Sequence, residues 1–178
     1  MGLGMVRGLR SVGAAALLAG LLTTLAACGF TPLYAEPGVV PALTHIEVRN
    51  EDTRTGFMLR EGLEDSLGWN RSEPARYRLV VASSETRAAL GRRLDETATR
   101  YQLTLTVSYV LTDAASGATV TQGAINAVTN YAASDQAYAG LVAHEDGQNR
   151  AARQAADLIR GELARFFADQ GRAAPAAR

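Results

Sequence analysis

Apolar and polar residues alternate most cleanly between Thr99 and Leu111. Tyr101, Leu103, Leu105, Val107, Tyr109 and Leu111 fall on one side, and Gln102, Thr104, Thr106 and Ser108 on the other. That period of two predicts a long strand with one packed face and one wet face. Shorter alternations predict strands at Thr44 to Arg49 and Tyr77 to Ser83. Asp113 to Gly117 reads as a hairpin turn, with a returning strand over Thr119 to Tyr131 in which Gly123 is a candidate bulge. Between the first two strands the period changes. Leu59, Gly62, Leu63, Ser66 and Leu67 recur at helical spacing, Arg60 and Glu64 stand one turn apart, and Gly68 supplies a stop. A second helix is expected from Ser134 to about Ala168. Its apolar stripe runs Tyr138, Leu141, Val142, Ala152, Ala155, Ala156, Ile159, Leu163, Phe166 and Phe167, and Gly147 is a candidate kink.

The segment Thr86 to Glu96 shows no clean period and is read as a charged loop or ragged hairpin. Elements with one apolar face or stripe each solve burial in one way. The fold class expected is α+β: a two-layer sandwich, two α-helices packed on one face of a small, about four-stranded, mostly antiparallel sheet. Thr31 to Pro41 carries Pro32, Pro37 and Pro41, which argue against a regular helix and for an extended tether. Phe30, Leu33 and Tyr34 within it suggest that the tether docks on something.

The amino terminus has its own logic. Arg7 and Arg10 precede the charge-free run Val12 to Leu22, too short for a span of ~20 residues but right for a signal peptide. The run leads to Leu25-Ala26-Ala27-Cys28, which looks like a bacterial lipobox. Residues 1–27 are therefore expected to be a lipoprotein signal peptide. Cys28 would then carry an S-diacylglycerol and an N-acyl chain such as palmitate, several chains anchoring far more firmly than one. Residues 28–42 follow as a lipid-anchored tether, 43–168 as the folded domain and 169–178 as a disordered tail. Gly29 is permissive for sorting to the outer membrane, so the location expected is the outer membrane, periplasmic side, lipid-anchored.

Composition narrows partners. Lys and Arg total 18 and Asp and Glu 18, every basic residue being Arg. Loss of Arg7 and Arg10 with the signal peptide leaves 16 minus 18, or −2. Such a chain has no global pull on nucleic acid, and any anion site is local. With one Cys, a disulfide framework and a Cys-based zinc site are excluded. No catalytic constellation stands out. His45 and His144 read as ordinary surface residues, since His144-Glu145-Asp146 lacks the second His of a zinc-protease helix. Asp95 and Glu96 are adjacent, which in a strand points them to opposite faces. An enzyme is disfavoured, and no cofactor or metal is expected.

Several stretches together resemble one family. Cys28-Gly-Phe-Thr-Pro-Leu-Tyr34 is similar to the mature start of the lipopolysaccharide-assembly lipoproteins, the LptE family, in alphaproteobacterial form. Ile46 to Val48, Arg54 to Gly56, Leu59 to Leu63, Thr97 to Leu103, Ser134 to Ala139 and Asn149 to Ala152 resemble that family's strands and helices in order. The resemblance implies the same two-layer sandwich and a non-catalytic role. It implies a plug inside LptD, the outer-membrane β-barrel of lipopolysaccharide export, which helps the barrel assemble. Lipopolysaccharide itself is an implied ligand. Arg forks suit its phosphates, and Arg87, Arg92, Arg93 and Arg100 form the densest basic group. The plainer reading of that group is a solvated loop with Asp95 and Glu96 as local partners. A periplasmic lipid carrier or transporter accessory without a barrel partner is the alternative function.

Overall fold

The computed structural model describes residues 38–92 and 98–173. Its elements run α1 (Val39–Thr44), β1 (Ile46–Asn50), α2 (Arg54–Leu67), β2 (Tyr77–Arg92), β3 (Ala98–Asp113), β4 (Thr119–Ala132) and α3 (Ala137–Ala173). The four strands form one sheet in the order β1-β2-β3-β4. β1 lies parallel to β2, so α2 serves as the crossover between them. The other two pairings are antiparallel. The helices pack on one face, giving the expected α+β sandwich.

Each element follows from local chemistry. The Thr53 hydroxyl accepts from the Gly56 amide at 3.0 Å and opens α2. Gly68 closes it in the left-handed region, at φ 67°, its amide bonding Glu64 and Asp65 carbonyls. The Asp113 carboxylate accepts from the amides of Ala115 and Ser116 and from the Ser116 hydroxyl, which sets the β3–β4 turn.

The core lies between the layers. Leu103, Leu105, Val107 and Leu111 of β3, Leu79 of β2, Leu59 and Leu63 of α2, and Ile159 and Leu163 of α3 are buried. Each such side chain contributes about 1.5–3 kcal/mol. Small residues bring the two helices together: a Cβ on Gly62 would touch that of Ala156 at 3.4 Å.

Several expectations change. β2 runs unbroken to Arg92 and pairs with β3 down to Ala98, so Thr86 to Arg92 is strand rather than loop. Its helix-side row carries Ser83, Glu85 and Arg87 in place of apolar residues, which hid the period. Val39–Thr44 is helical although it contains Pro41. Pro41 sits in the first turn, where the amide that it lacks would have no partner within the helix. Gly123 is no bulge: it pairs in register with Tyr109, and the irregularity lies between Leu111 and Thr112.

Helix α3 begins at Ala137, beyond Ser134, whose hydroxyl accepts from the Gln136 amide just before it. Tyr138, Leu141 and Val142 are exposed, not part of the packed stripe. Tyr131 is the last helix-facing residue of β4 and packs against His144 and Gly147, so the earlier turns pass beyond that strand. Gly147 admits the Tyr131 ring, which a Cβ would meet at 3.0 Å. The helix continues to Ala173, so 169–173 belong to it and not to a tail. The signal peptide, Cys28, and the tether as far as Pro37 lie outside the described residues, as do Arg93, Asp95, Glu96 and 174–178.

Candidate functional site

Three of the four candidate arginines, Arg87, Arg92 and Arg100, lie on β2 and β3; Arg93 falls outside the described residues. Arg87 stands in the row of β2 that also holds the buried Leu79 and Val81, so it faces the helix side. Its guanidinium lies 4.8 Å from the Tyr101 ring centroid. It also bonds the Tyr131 hydroxyl, and this bond raises its pKa further. Arg100 pairs with Leu90 in the opposite row and is exposed on the open face. The backbone of Arg92 pairs with Ala98 near the end of the ladder. The sheet thus sends Arg87 and Arg100 to opposite faces instead of into one patch.

Arg87 belongs to a polar network that joins β2, β3 and β4 to α3. Tyr131 lies 3.0 Å from His144 Nδ1, and its ring stacks near those of Tyr101 and His144. Glu85 receives Gln148 Nε2 at 2.7 Å and faces His144 Nε2 at 3.4 Å. The rest of the acidic run beside His144 is likewise engaged: Glu145 pairs with Arg54 at 2.9 Å and Asp146 with Arg150 at 2.9 Å. His45 is tied as well. Its Nδ1 lies 2.6 Å from the Pro41 carbonyl and its Nε2 2.5 Å from Glu73. Those acceptors favour the cation and raise the His45 pKa, the Pro41 carbonyl most, with Arg76 opposing. Both histidines are therefore half-buried joints of the scaffold, more engaged than the surface residues expected. Among the described residues no group of three or more His, Cys, Asp or Glu could hold a metal ion. Among them, too, no helix is long and apolar enough to cross a membrane.

The open face of the sheet has a distinct chemistry. Its three long rows are Val80, Ala82, Ser84, Thr86, Ala88 and Leu90; Gln102, Thr104, Thr106, Ser108, Val110 and Thr112; and Gln122, Ala124, Asn126, Val128, Asn130 and Ala132. None is charged. At the chain's 20% charged composition each row would hold about one charge, and a solvated surface more. Among the described side chains, charge on this face appears only at the margins, in Arg100 at one end and in Glu47, Arg49 and Arg78 toward β1. Glu47 there takes Arg49 at 2.8 Å and Arg78 at 3.4 Å. Three strands of this length present roughly 500 Å², more than half of the ~800 Å² that one partner gives to a standard interface. Depletion of charge is the compositional mark of an interface core. The wet face of β3 was legible in the sequence. Its extension across β2 was not, because the expected β2 stopped at Ser83.

Comparison with known proteins agrees with this architecture. A family model described as lipopolysaccharide-assembly, LptE, matches residues 43–163. Among solved structures, a protein from Caulobacter crescentus CB15 described as a lipoprotein is 40% identical, with a TM-score of 0.65. The match covers 75% of this chain and 97% of that one. Rare lipoprotein B from Shewanella oneidensis is 19% identical at a TM-score of 0.54, covering 70% of this chain and 96% of that one. A lipoprotein B from Nitrosomonas europaea is 15% identical at a TM-score of 0.50, covering 68% and 81%. The last two share the fold. No curated protein matches.

Proposed function

The chain belongs to the LptE lipopolysaccharide-assembly family, and from that premise we propose that it is a non-catalytic plug and assembly partner of the LptD-type outer-membrane β-barrel. In this reading Cys28 carries the acyl anchor, residues 28–38 span from the membrane to the domain, and the domain sits on the periplasmic side within the barrel lumen. The carrying observation is the uncharged open face of three long strands. The lumen of a transmembrane barrel is polar. A surface mostly of Thr, Ser, Asn, Gln and Ala, with Val80, Leu90, Val110 and Val128 among them, can meet such a wall without desolvating any charge, a step that costs several kcal/mol per ion. The charged side chains lie mostly on the helical side and at the sheet margins.

Lipopolysaccharide is proposed as a ligand at the hairpin end, with Arg100 the contact best placed on the open face; Arg92 and Arg93 remain candidates from the sequence. Arg87, held by Tyr101 and Tyr131, contributes rigidity to that end.

The test is extraction and depletion. Mild detergent should release this protein in a stable complex with a large heat-modifiable barrel. Depletion should lower both folded barrel and surface lipopolysaccharide. Recovery of the protein alone or with bound lipid would instead support a periplasmic carrier, and normal surface lipopolysaccharide after depletion would defeat the plug.

A further inference from the structure

Among the described residues β4 is the outer strand of the sheet and has a neighbour on one side only. Natural edge strands are blunted with charges, prolines, strong bulges or short length. β4 has 14 residues, Thr119 to Ala132, with no charge and no proline among them. Its one irregularity lies at the turn end, opposite Leu111 and Thr112. The other free edge differs. β1 covers β2 only as far as Val81, and beyond it the β2 edge carries Glu85 and Arg87 on its inward side, the usual protective device.

The direction of the free groups on β4 follows from the ladder. The Asp113 amide bonds the Ala118 carbonyl at the turn. Carried through the irregularity, this turns the backbone groups of odd β3 residues, and of the odd β4 residues opposite them, toward each other. The even residues of β4, from Gln122 to Asn130, then present N–H and C=O outward. An independent contact agrees: Arg150 of α3 reaches the Asn130 carbonyl at 3.2 Å from the edge side.

The helix above supplies a matching flank. Arg150, Gln154, Leu158 and Glu162 recur at four-residue spacing, one ridge of α3. The ridge beside it meets α2, where Gly62 approaches Ala152, Arg153 and Ala156. Arg150 bonds β4, and Glu162 takes the Tyr109 hydroxyl that passes over Gly123. This ridge therefore runs along the β4 side. Leu158, 40% exposed, lies on it between them.

We propose that the β4 edge is a strand-addition site. It receives one extended, uncharged segment of the partner protein as a fifth strand, an apolar residue of that segment packing under Leu158. Backbone bonds to the even residues of β4 from Gln122 to Val128 supply affinity, Arg150 already holding the Asn130 carbonyl, and the uncharged strand selects against charged segments. The chain's own tether is a poor occupant, because Pro32 and Pro37 interrupt any ladder. The inference rests on the plug reading only for the identity of the partner, the barrel protein.

The experiment places a photo-crosslinking residue at Gln122, Asn126 or Asn130 of the full-length lipoprotein in its membrane, with Thr106 on the open face as a fourth site. The three edge positions should capture one partner segment, at points advancing in order by about four residues, as strand pairing requires. Capture points scattered over separate regions, or capture of a second copy of this chain, would overturn the proposal. Two variants add a second readout. Val128→Pro removes one outward N–H without touching the ladder to β3, and Leu158→Glu alters only the helix flank. Each should lower partner recovery about tenfold while the melting temperature stays within a few degrees. Parental recovery with both would overturn the proposal. The two readings separate cleanly. A barrel captured from Thr106 but not from the edge keeps the plug and removes the fifth strand. An ordered segment from a protein that is no barrel keeps the fifth strand and removes the plug.

Discussion

Tyr109 and Gly123 face each other across β3 and β4, and the tyrosine ring occupies the space that a side chain at 123 would fill. A Cβ there would stand 2.6 Å from the Tyr109 hydroxyl. The ring crosses the glycine to reach α3, where the hydroxyl donates to Glu162 Oε2 at 2.6 Å. Burial first, and then the bond to Glu162, push the Tyr109 pKa well above its ordinary value. Gly123→Ala is expected to displace the ring and break this tie, at a cost of about 1–3 kcal/mol. Chemical denaturation measures it, and a cost below about 0.5 kcal/mol would show that the ring moves aside freely.

His45 joins α1 to the loop before β2. Its raised pKa means that the protonated form is the one stabilised by folding. The contribution is complete below the ordinary value of 6.5 and is lost as the pH rises through the higher folded value. An NMR titration should place the folded His45 above 6.5. The protection factor of the Ala42 amide, which bonds Gly38, should fall over the same rise in pH. A titration at or below 6.5 would contradict the geometry.

Glu64 behaves in the opposite sense. Burial alone would raise its pKa, but hydrogen bonds from Arg60, at 2.6 Å, and from Arg71 outweigh burial and lower it. Its contribution is present above about 4.5 and is lost as the pH falls through the lower folded value. Glu64→Gln should remove about 0.5–1 kcal/mol at neutral pH, since Arg71 is largely and Arg60 partly exposed. It should also flatten the stability curve below pH 4.5. An unchanged acid limb would assign acid sensitivity elsewhere.

Arg87 and Arg100 should separate in function. Arg87→Ala loses the Tyr101 face and the Tyr131 hydroxyl and is expected to cost about 0.5–1 kcal/mol of stability. Arg100→Ala should leave the melting temperature unchanged and weaken binding to lipopolysaccharide micelles about fivefold or more, as loss of a charged hydrogen bond would. Parental binding by the Arg100 variant would remove it from the proposed lipid contact.

The anchor is expected to act chiefly as an address. A Cys28→Ala chain sent to the periplasm with an ordinary secretory signal should fold and keep part of its barrel binding. Complete loss of co-purification would show that the acyl chains hold the complex together.

Much of the fold was already present in the order of residues. The alternation of β3 named its packed face, and Leu59, Leu63 and Leu67 named that of α2. Gly68 marked the helix end, and the two-layer architecture followed because each element had one face to bury. Whatever depended on a neighbour's reach was decided only by tertiary structure. Arg87 read as part of a charged loop or ragged hairpin and Glu85 fell beyond the expected strand, because their inward row is polar, yet β3 pairs with both and α3 supplies Gln148 and His144 to Glu85. Tyr138, Leu141 and Val142 kept helical spacing but met no strand, because α3 extends past the end of β4. Gly123 was visible as a glycine. That it yields space to a ring from the next strand required the register. Periodicity reports which face an element would bury, and only packing decides how far its neighbours extend to cover it.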